Sequence, residues 1–203
     1  GWARLRGRAA RAALAACGAA LVALASWPLV SGRAPEPQLS IDMPDHWRQV
    51  ARDLDERRDE GRALLLPGQL FAYYAWGGTV DAVLPTLTDR PVATRWVVPY
   101  ADLRATDMQW TVDRLVTQDR LVPGQLPPLL DLLGVGDVVI AADGDRSRSG
   151  EGAAADVART LAAQGLRGGT AYGPTRTAQP AAGSADEPLR VPSLRRVGTR
   201  TGG

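Results

Sequence analysis

The chain is 203 residues long with a mass of 21.5 kDa, the size of one domain with additional segments. All 24 basic residues are arginine and asparagine is absent, which excludes lysine-based catalysis and N-glycosylation. A single cysteine and a single histidine exclude a disulfide framework and a zinc site built from those two residue types.

The charge is unevenly distributed along the chain. Residues 1–33 contain five arginines and no acidic residue, whereas residues 34–203 contain 19 arginines and 22 acids, a net charge of −3. A weakly acidic segment offers no basic surface of the kind that binds nucleic acid. We therefore expect no nucleic-acid partner, and the residue pattern indicates no cofactor.

Residues 1–33 are predicted to hold a transmembrane helix in contact with the lipid bilayer. Ala12–Val30 is uncharged over 19 residues and would reach ~28 Å as a helix, close to the apolar thickness of a bilayer. Arginines precede it, so the positive-inside rule predicts a cytoplasmic N-terminus and an extracytoplasmic location for residues 34–203. Small residues at every fourth position favour packing among other membrane helices of a longer protein. A secretory signal peptide cleaved near Ala23–Ala25 is the alternative.

Residues 34–45 are predicted to be a proline-punctuated linker. The helix that follows carries apolar residues at positions 47, 50, 51 and 54, which is the spacing of one buried helix face. A short buried strand is predicted at Ala63–Leu66 and ends at Pro67-Gly68. A second strand is predicted at Arg95–Pro99, far enough along the chain for a crossover to a parallel neighbour.

Helices and strands continue to alternate in the second half of the chain. Thr106 is expected to cap a helix, and a shorter helix is expected from Pro127 to Leu133. Asp137–Ala142 is the clearest strand, and Ser149–Gln164 is predicted to be a last amphipathic helix.

This order predicts a small layered α/β domain over residues 46–167, with a partly parallel sheet of three or four strands. Residues 168–203 are rich in Gly, Pro, Ser, Thr and Arg. That composition predicts a linker or the truncated beginning of another domain.

The aspartates of Asp143-Gly144-Asp145 are weak candidates for metal ligands. They directly follow an apolar strand, and two carboxylates at this spacing can hold a divalent cation on a diphosphate. We favour the simpler interpretation, a polar turn that ends the strand, and expect no metal. His46, the only imidazole, is interpreted as a structural or surface residue rather than a general base.

Four aromatic residues are candidates for sugar contact: Tyr73, Tyr74, Trp76 and Tyr100. An aromatic face suits the apolar C–H side of a pyranose or furanose ring. The alternative is that these rings pack in the core. The sequence identifies no catalytic residue.

From Pro44 onward, several motifs carry a family resemblance. They are W-x-x-V-A-x-x-L-D (47–55), L-L-L-P-G-x-x-F-x-x-Y-x-W-G-x-x-x-D (64–81), R-x-V-V-P (95–99), P-G-Q-L-x-x-L-L-x-x-L-G-V-x-x-V-V (123–139) and the aspartates at 143 and 145. This pattern resembles the region after the last membrane helix of the actinobacterial α-(1→3)-arabinofuranosyltransferases, which are large multi-span glycosyltransferases of the GT-C class.

The resemblance implies an enzyme of cell-wall arabinan assembly at the plasma membrane. Its donor would be polyprenyl-phosphate arabinofuranose, and its acceptor an arabinan of arabinogalactan or lipoarabinomannan. The family's catalytic carboxylate lies in an early loop of the membrane domain, and no position of this chain corresponds to it. We therefore expect a fragment that supports or guides the acceptor and is inactive alone. The alternative is a non-enzymatic single-span cell-envelope protein with an extracytoplasmic interaction domain.

Overall fold

The computed structural model describes residues 2–31, 42–95 and 102–199, and the chain divides into two units, residues 1–40 and 41–203. The described part of the first unit is dominated by one helix, α1 (Trp2–Val30). Within the described residues, no helix is both long and apolar enough to cross a membrane. The predicted transmembrane helix is therefore wrong. Helix α1 begins at Trp2 and so includes four arginines, and eight of the 19 residues in its uncharged stretch are alanine, which contributes little to membrane insertion.

The second unit is a small α/β domain with a mixed sheet. Its elements in chain order are α2 (Asp45–Glu56), β1 (Arg62–Leu66), β2 (Ala72–Tyr74), β3 (Gly77–Thr79), β4 (Val92–Ala93), α3 (Leu103–Thr117), α4 (Leu126–Leu132), β5 (Val135–Ala141), α5 (Arg146–Ser149), α6 (Ala154–Ala163), β6 (Thr170–Ala178) and β7 (Leu189–Gly198). Short 3-10 turns lie at Arg58–Glu60 and Leu84–Thr86.

The main sheet has the strand order β4-β1-β5-β7-β6. Strands β4, β1 and β5 run parallel, and β7 and β6 complete the sheet in antiparallel fashion. Strands β2 and β3 form a separate antiparallel hairpin. The described sheet therefore has five strands, where the sequence predicted three or four.

Both faces of the sheet are covered. Leu64 and Leu66 of β1 belong to a core built with α3, α4 and α6, whereas Ala63 and Leu65 belong to a second core built with α2 and the β2–β3 hairpin. A strand that is buried on both faces favours apolar side chains at successive positions, which is why β1 and β5 contain the apolar runs 63–66 and 138–141. The domain is a three-layer arrangement with the sheet in the middle.

Residues 168–203 contain β6 and β7, so their prediction as a linker or truncated domain does not match the fold. The polar appearance of β7 has a specific cause. Arg196 is buried, and its Nη1 atom donates to Asp137 Oδ1 at 2.9 Å, while Arg90 donates to Asp137 Oδ2 at 2.6 Å from the other side. A buried charge that is paired in this way is compatible with a core strand. The pairing register of β6 shifts between Tyr172 and Thr175, where Gly173 and Pro174 interrupt the strand pattern.

Two boundaries differ from the sequence prediction. Helix α3 is capped by Asp102, whose Oδ1 accepts hydrogen bonds from the backbone N–H groups of Arg104 and Ala105, and not by Thr106. Val92–Ala93 pairs with β1 as an edge strand. The predicted strand Arg95–Pro99 begins after it, and residues 96–101 lie outside the described part of the chain.

Candidate functional site

The carboxyl ends of the parallel strands β1 and β5 meet at one edge of the sheet. In α/β folds, ligands bind in the crevice outside this edge. Here a cavity of about 380 Å³ opens at that position. We name it the carboxyl-end crevice; the residues that matter for its chemistry are Gly68, Arg95, Trp110, Asp113, Arg146 and Glu151.

Asp113 of α3 anchors the loop that follows β1. Its Oδ1 atom accepts a hydrogen bond of 2.8 Å from the backbone N–H of Gly68. Burial raises the pKa of Asp113, while the Gly68 hydrogen bond and the charge of Arg95 oppose the rise. The loop after β1 is thereby held against α3 and forms one wall of the carboxyl-end crevice.

Glu151 lies in the segment after α5 and is only 9 % exposed. Burial raises its pKa to about 8; a hydrogen bond with Gln69 opposes this rise, and the nearby charge of Asp143 adds to it. The carboxyl group is therefore largely protonated at neutral pH, so it can both donate and accept hydrogen bonds. Its Oε2 atom is buried without a hydrogen-bond partner among the described residues.

Arg146 at the start of α5, like Glu151, has a buried polar atom that lacks a hydrogen-bond partner among the described residues. Its Nη1 atom donates to the backbone carbonyl oxygens of Gln179 and Pro180 at 3.2 and 3.3 Å. Its Nε atom is buried and has no partner within the described segments. Arg146 and Glu151 line both the carboxyl-end crevice and an adjoining cavity of about 410 Å³ beside β6, so the pair separates the two spaces.

Trp110 of α3 forms the outer wall of the crevice and remains 40 % exposed. The guanidinium of Arg95 lies 4.6 Å from the centroid of its ring, and that of Arg114 lies 5.7 Å away. Cation–π attraction of this kind holds the indole in a defined orientation.

The predicted aromatic residues do not lie in this crevice. The rings of Tyr74 and Trp76 stack at 4.5 Å with an interplanar angle of 3°, and both pack edge-on against Trp47. Tyr74 is buried, and its hydroxyl oxygen accepts a hydrogen bond from the backbone N–H of Val83. Tyr73 and Trp76 are partly exposed. Sugar contact by Tyr73, Tyr74 and Trp76 stays a prediction, and Tyr100 lies outside the described residues.

Asp143 ties this aromatic cluster to the end of β5. Its Oδ2 atom accepts hydrogen bonds from Trp47 Nε1 at 2.8 Å, Trp76 Nε1 at 2.9 Å and His46 Nε2 at 3.2 Å. The three donors occupy Oδ2, and the other oxygen of the carboxylate, Oδ1, is buried without a hydrogen-bond partner among the described residues. The structure therefore gives Asp143 and His46 a joint structural role in the domain core.

Asp145 has a different role from Asp143. Its Oδ1 atom accepts hydrogen bonds from the backbone N–H and the hydroxyl of Ser147. Asp145 thereby caps the N-terminus of α5. No cluster of three or more potential metal ligands occurs among the described residues. Asp143 and Asp145 as weak metal-ligand candidates, and the expectation that no metal binds, stay predictions.

Sequence reasoning missed Trp110, Asp113, Arg146 and Glu151. Each appeared in the sequence as one polar or aromatic residue among many on a helix or a turn. One signal was available: Arg146 and Glu151 follow the strongest predicted strand, and the ends of parallel strands are where α/β folds place ligands. No sequence pattern predicts that the side chains of α3 reach the same edge, since their position depends on the tertiary packing of α3 beside α6.

An α/β module with a polar crevice at the carboxyl ends of its parallel strands is the class of domain that this fold and site define. The chain belongs to the α-(1→3)-arabinofuranosyltransferase family: the family model described as the N-terminal GT-C domain of that enzyme matches residues 2–197. This confirms the family resemblance found in the sequence.

Named relatives agree with this assignment. The chain is 36% identical over 125 residues to an α-(1→3)-arabinofuranosyltransferase of Mycolicibacterium smegmatis, a match that covers 59% of this chain and 9% of the relative. It is also similar to the cryo-EM structure of arabinofuranosyltransferase AftD from mycobacteria, with a TM-score of 0.68 and 25% identity over 79% of this chain and 12% of that one.

A second comparison concerns the fold alone. A mutant form of mycobacterial AftD matches with a TM-score of 0.71 at 22% identity, over 90% of this chain and 15% of the other. The chain thus spans about a tenth of the length of the curated relative that it matches.

Proposed function

We propose that this chain is a non-catalytic module of an arabinofuranosyltransferase of cell-wall arabinan assembly, and that the module holds the acceptor glycan. The observation that carries the proposal is the family match over residues 2–197. In this proposal, the remainder of the enzyme uses a polyprenyl-phosphate arabinofuranose donor, and an arabinan of arabinogalactan or lipoarabinomannan is the acceptor.

The chemistry of the carboxyl-end crevice supports an acceptor role rather than a donor role. A polyprenyl chain needs a long apolar groove, because its hydrocarbon surface gains free energy only where it leaves water. This crevice instead combines apolar surface with charged side chains, among them Arg95, Asp113 and Arg146. A hydroxyl-rich glycan finds both hydrogen-bond donors and acceptors there.

The proposal is tested by measuring binding of the 203-residue chain to a synthetic arabinofuranosyl tetrasaccharide. We expect saturable binding by isothermal titration calorimetry, with a dissociation constant on the order of 1 mM, which corresponds to about −4 kcal/mol. Maltotetraose of equal length is the control ligand. Equal affinity for the two oligosaccharides, or no binding of the arabinofuranosyl compound, would contradict an acceptor-holding role.

A further inference from the structure

We propose that the carboxyl-end crevice is a binding subsite for a neutral polyol of one or two monosaccharide residues, with Glu151 and Arg146 as its polar pair and Trp110 as its wall. This assignment rests on the proposed function and names the residues that would carry it out. It differs from the sequence prediction, which assigned sugar contact to the aromatic residues around Trp76.

The charges that line the crevice disfavour a cation. Arg95, Arg114 and Arg146 line it together with Asp113 and Glu151. A cation would meet three guanidinium groups, and the protonated carboxyl group of Glu151 offers it no opposite charge. A neutral molecule that both donates and accepts hydrogen bonds can pair with all of these side chains.

Two buried polar atoms at the same wall have no partner among the described residues. They are the Nε–H donor of Arg146 and the Oε2 atom of Glu151. A buried polar group without a hydrogen bond costs free energy, so native structures pair such groups with protein, water or ligand. A sugar hydroxyl accepts from one group and donates to another, and a pair of adjacent hydroxyls can therefore satisfy both atoms at once.

The shape of Trp110 adds an apolar contact to this polar pair. Its indole is part of the crevice lining and is fixed by the guanidinium of Arg95 at 4.6 Å from the ring centroid. A wall that is already ordered loses little conformational entropy when a ligand binds. The C–H groups of a sugar ring are the part of a polyol that gains from contact with such an aromatic surface.

The size of the crevice sets the size of the ligand. Its volume is about 380 Å³, at the lower end of the range of ordinary small-molecule sites. A cavity of that volume suits one or two monosaccharide residues rather than a long polymer. A longer glycan would place one segment here and extend into solvent.

The test uses the 203-residue chain, the arabinofuranosyl tetrasaccharide and calorimetry at pH 6.5. Glu151→Ala and Arg146→Gln should each weaken binding about tenfold, the loss expected for one buried hydrogen bond. Glu151→Gln should retain binding within a factor of about two, because an amide also donates and accepts, as a protonated carboxyl does. Arg148→Gln is the matched control, since Arg148 lies on the same helix with an exposed side chain. Circular dichroism establishes that each variant is folded.

Three other results would each contradict a stated part of the proposal: the subsite, the proposed function or the neutral ligand. Unchanged binding in Glu151→Ala and Arg146→Gln, with loss in Tyr73→Ala, would refute this subsite and leave the acceptor-holding function intact. No binding by the unmodified chain would refute both. Inorganic phosphate that competes with the tetrasaccharide, with a competition lost in Arg146→Gln, would show an anion site and refute the neutral ligand.

Discussion

Asp143 is buried at the end of β5, where one of its oxygens accepts hydrogen bonds from the imidazole of His46 and from two indole groups. These bonds join α2, the β2–β3 hairpin and the sheet at one atom. The sequence predicts a polar turn at this position because Asp143-Gly144-Asp145 directly follows an apolar strand. Its hydrogen-bond partners are 67 to 97 residues away in the chain, and no local sequence pattern predicts such a contact.

Replacing this carboxylate tests its structural role. Asp143→Asn should lower the free energy of unfolding by about 2–3 kcal/mol, because an amide oxygen accepts less strongly than a carboxylate and the added NH₂ group needs an acceptor of its own. Urea denaturation followed by tryptophan fluorescence measures the change. Asp145→Asn, which alters the cap of α5 and a partly exposed ion pair with Arg148, is the control and should cost less than about 1 kcal/mol. Equal losses in the two variants would contradict the role of Asp143.

The same geometry predicts the response to divalent cations. Millimolar Mn²⁺, Mg²⁺ or Ca²⁺ should leave the thermal midpoint of the chain unchanged, since three N–H donors occupy Asp143 Oδ2, Asp143 Oδ1 is buried, and the described residues place no group of three potential metal ligands together. Specific binding would stabilise the fold by about 2.7 kcal/mol at a hundredfold excess over the dissociation constant. A shift of several degrees that Asp143→Ala abolishes would establish a metal site.

Glu151 makes the stability of the domain depend on pH. Burial is the main reason why its pKa rises from the ordinary value of 4.5 to about 8 in the folded protein. The folded state thus holds the proton more tightly than the unfolded state does. The contribution of this proton to the free energy of unfolding is therefore fully present below pH 4.5 and is lost as the pH rises to about 8. The pKa of Asp113 is also raised by burial, and that change acts in the same direction.

Glu151→Gln should remove most of this dependence. The variant should be more stable than the parent at pH 9, by on the order of 2 kcal/mol, and close to it at pH 5. Denaturation curves at both pH values measure the difference. Glu187→Gln, at an exposed carboxyl, should change neither value. A parent protein that is equally stable at pH 5 and pH 9 would show that Glu151 does not titrate in this window.

At the scale of whole elements, the hairpin of β6 and β7 completes the sheet. Strand β7 pairs with β5 from Asp137 to Ala141 and supplies Arg196, which together with Arg90 neutralises the buried carboxylate of Asp137. Burial alone would lower the pKa of Arg196, but its hydrogen bonds to Asp137, Tyr172 and Asp53 raise it above the ordinary value. Removing β7 would leave Asp137 with one partner and open the edge of a fully buried strand.

A chain that ends at Gly168 should therefore fail to fold cooperatively. Breaking a buried charge pair costs ~3–5 kcal/mol, and the exposed edge of β5 adds to that loss. Thermal denaturation and binding of a hydrophobic dye measure the outcome. A chain that ends at Thr199 keeps β7 whole and is the matched control. A sharp melting transition in the shorter chain would mean that residues 46–167 suffice as a domain.

The elements that the sequence predicts well are those with a local signal. The apolar stripe of α2 and the apolar runs 63–66 of β1 and 138–141 of β5 follow from burial on one face or on two. Strand β7 carries Arg195, Arg196 and Pro192, so its sequence pattern does not predict a buried core strand. Its pairing with β5 depends on residues that are distant in the chain. The stretch Ala12–Val30 shows the opposite error: its lack of charge predicts membrane insertion, but eight of its 19 residues are alanine, which contributes little to insertion.

The candidate site was less predictable than the fold for a related reason. The resemblance identified the family, but its motifs consist mainly of residues that shape β1, the aromatic cluster and β5. Glu151 and Arg146 acquire their chemistry from burial, and burial at the edge of a sheet is a property of the assembled layers. The raised pKa of Glu151 thus has no counterpart in the sequence around it.

At the scale of the whole molecule, the module and the enzyme family differ greatly in size. The chain covers 9% of the M. smegmatis relative and 12% of the AftD structure. Glycosyl transfer needs an acid or base within hydrogen-bond reach of the acceptor hydroxyl, and a pocket that shields a transition state resembling an oxocarbenium ion. The carboxyl-end crevice offers Glu151 as a protonated carboxyl beside Arg146, which suits binding a hydroxyl rather than removing its proton at neutral pH.

The 203-residue chain alone should therefore transfer no arabinose. The assay supplies the purified chain in detergent with lipid-linked arabinofuranose and a synthetic arabinan acceptor, and mass spectrometry detects any elongated acceptor. The complete M. smegmatis relative is the positive control for donor and acceptor quality. Product formed by the chain alone, and lost in Glu151→Gln, would place catalysis in the crevice, because that substitution removes the only titrating proton of Glu151 while keeping its shape. Product formed equally by the parent and the variant would place catalysis elsewhere in these 203 residues, and either result would overturn the non-catalytic role proposed for the module.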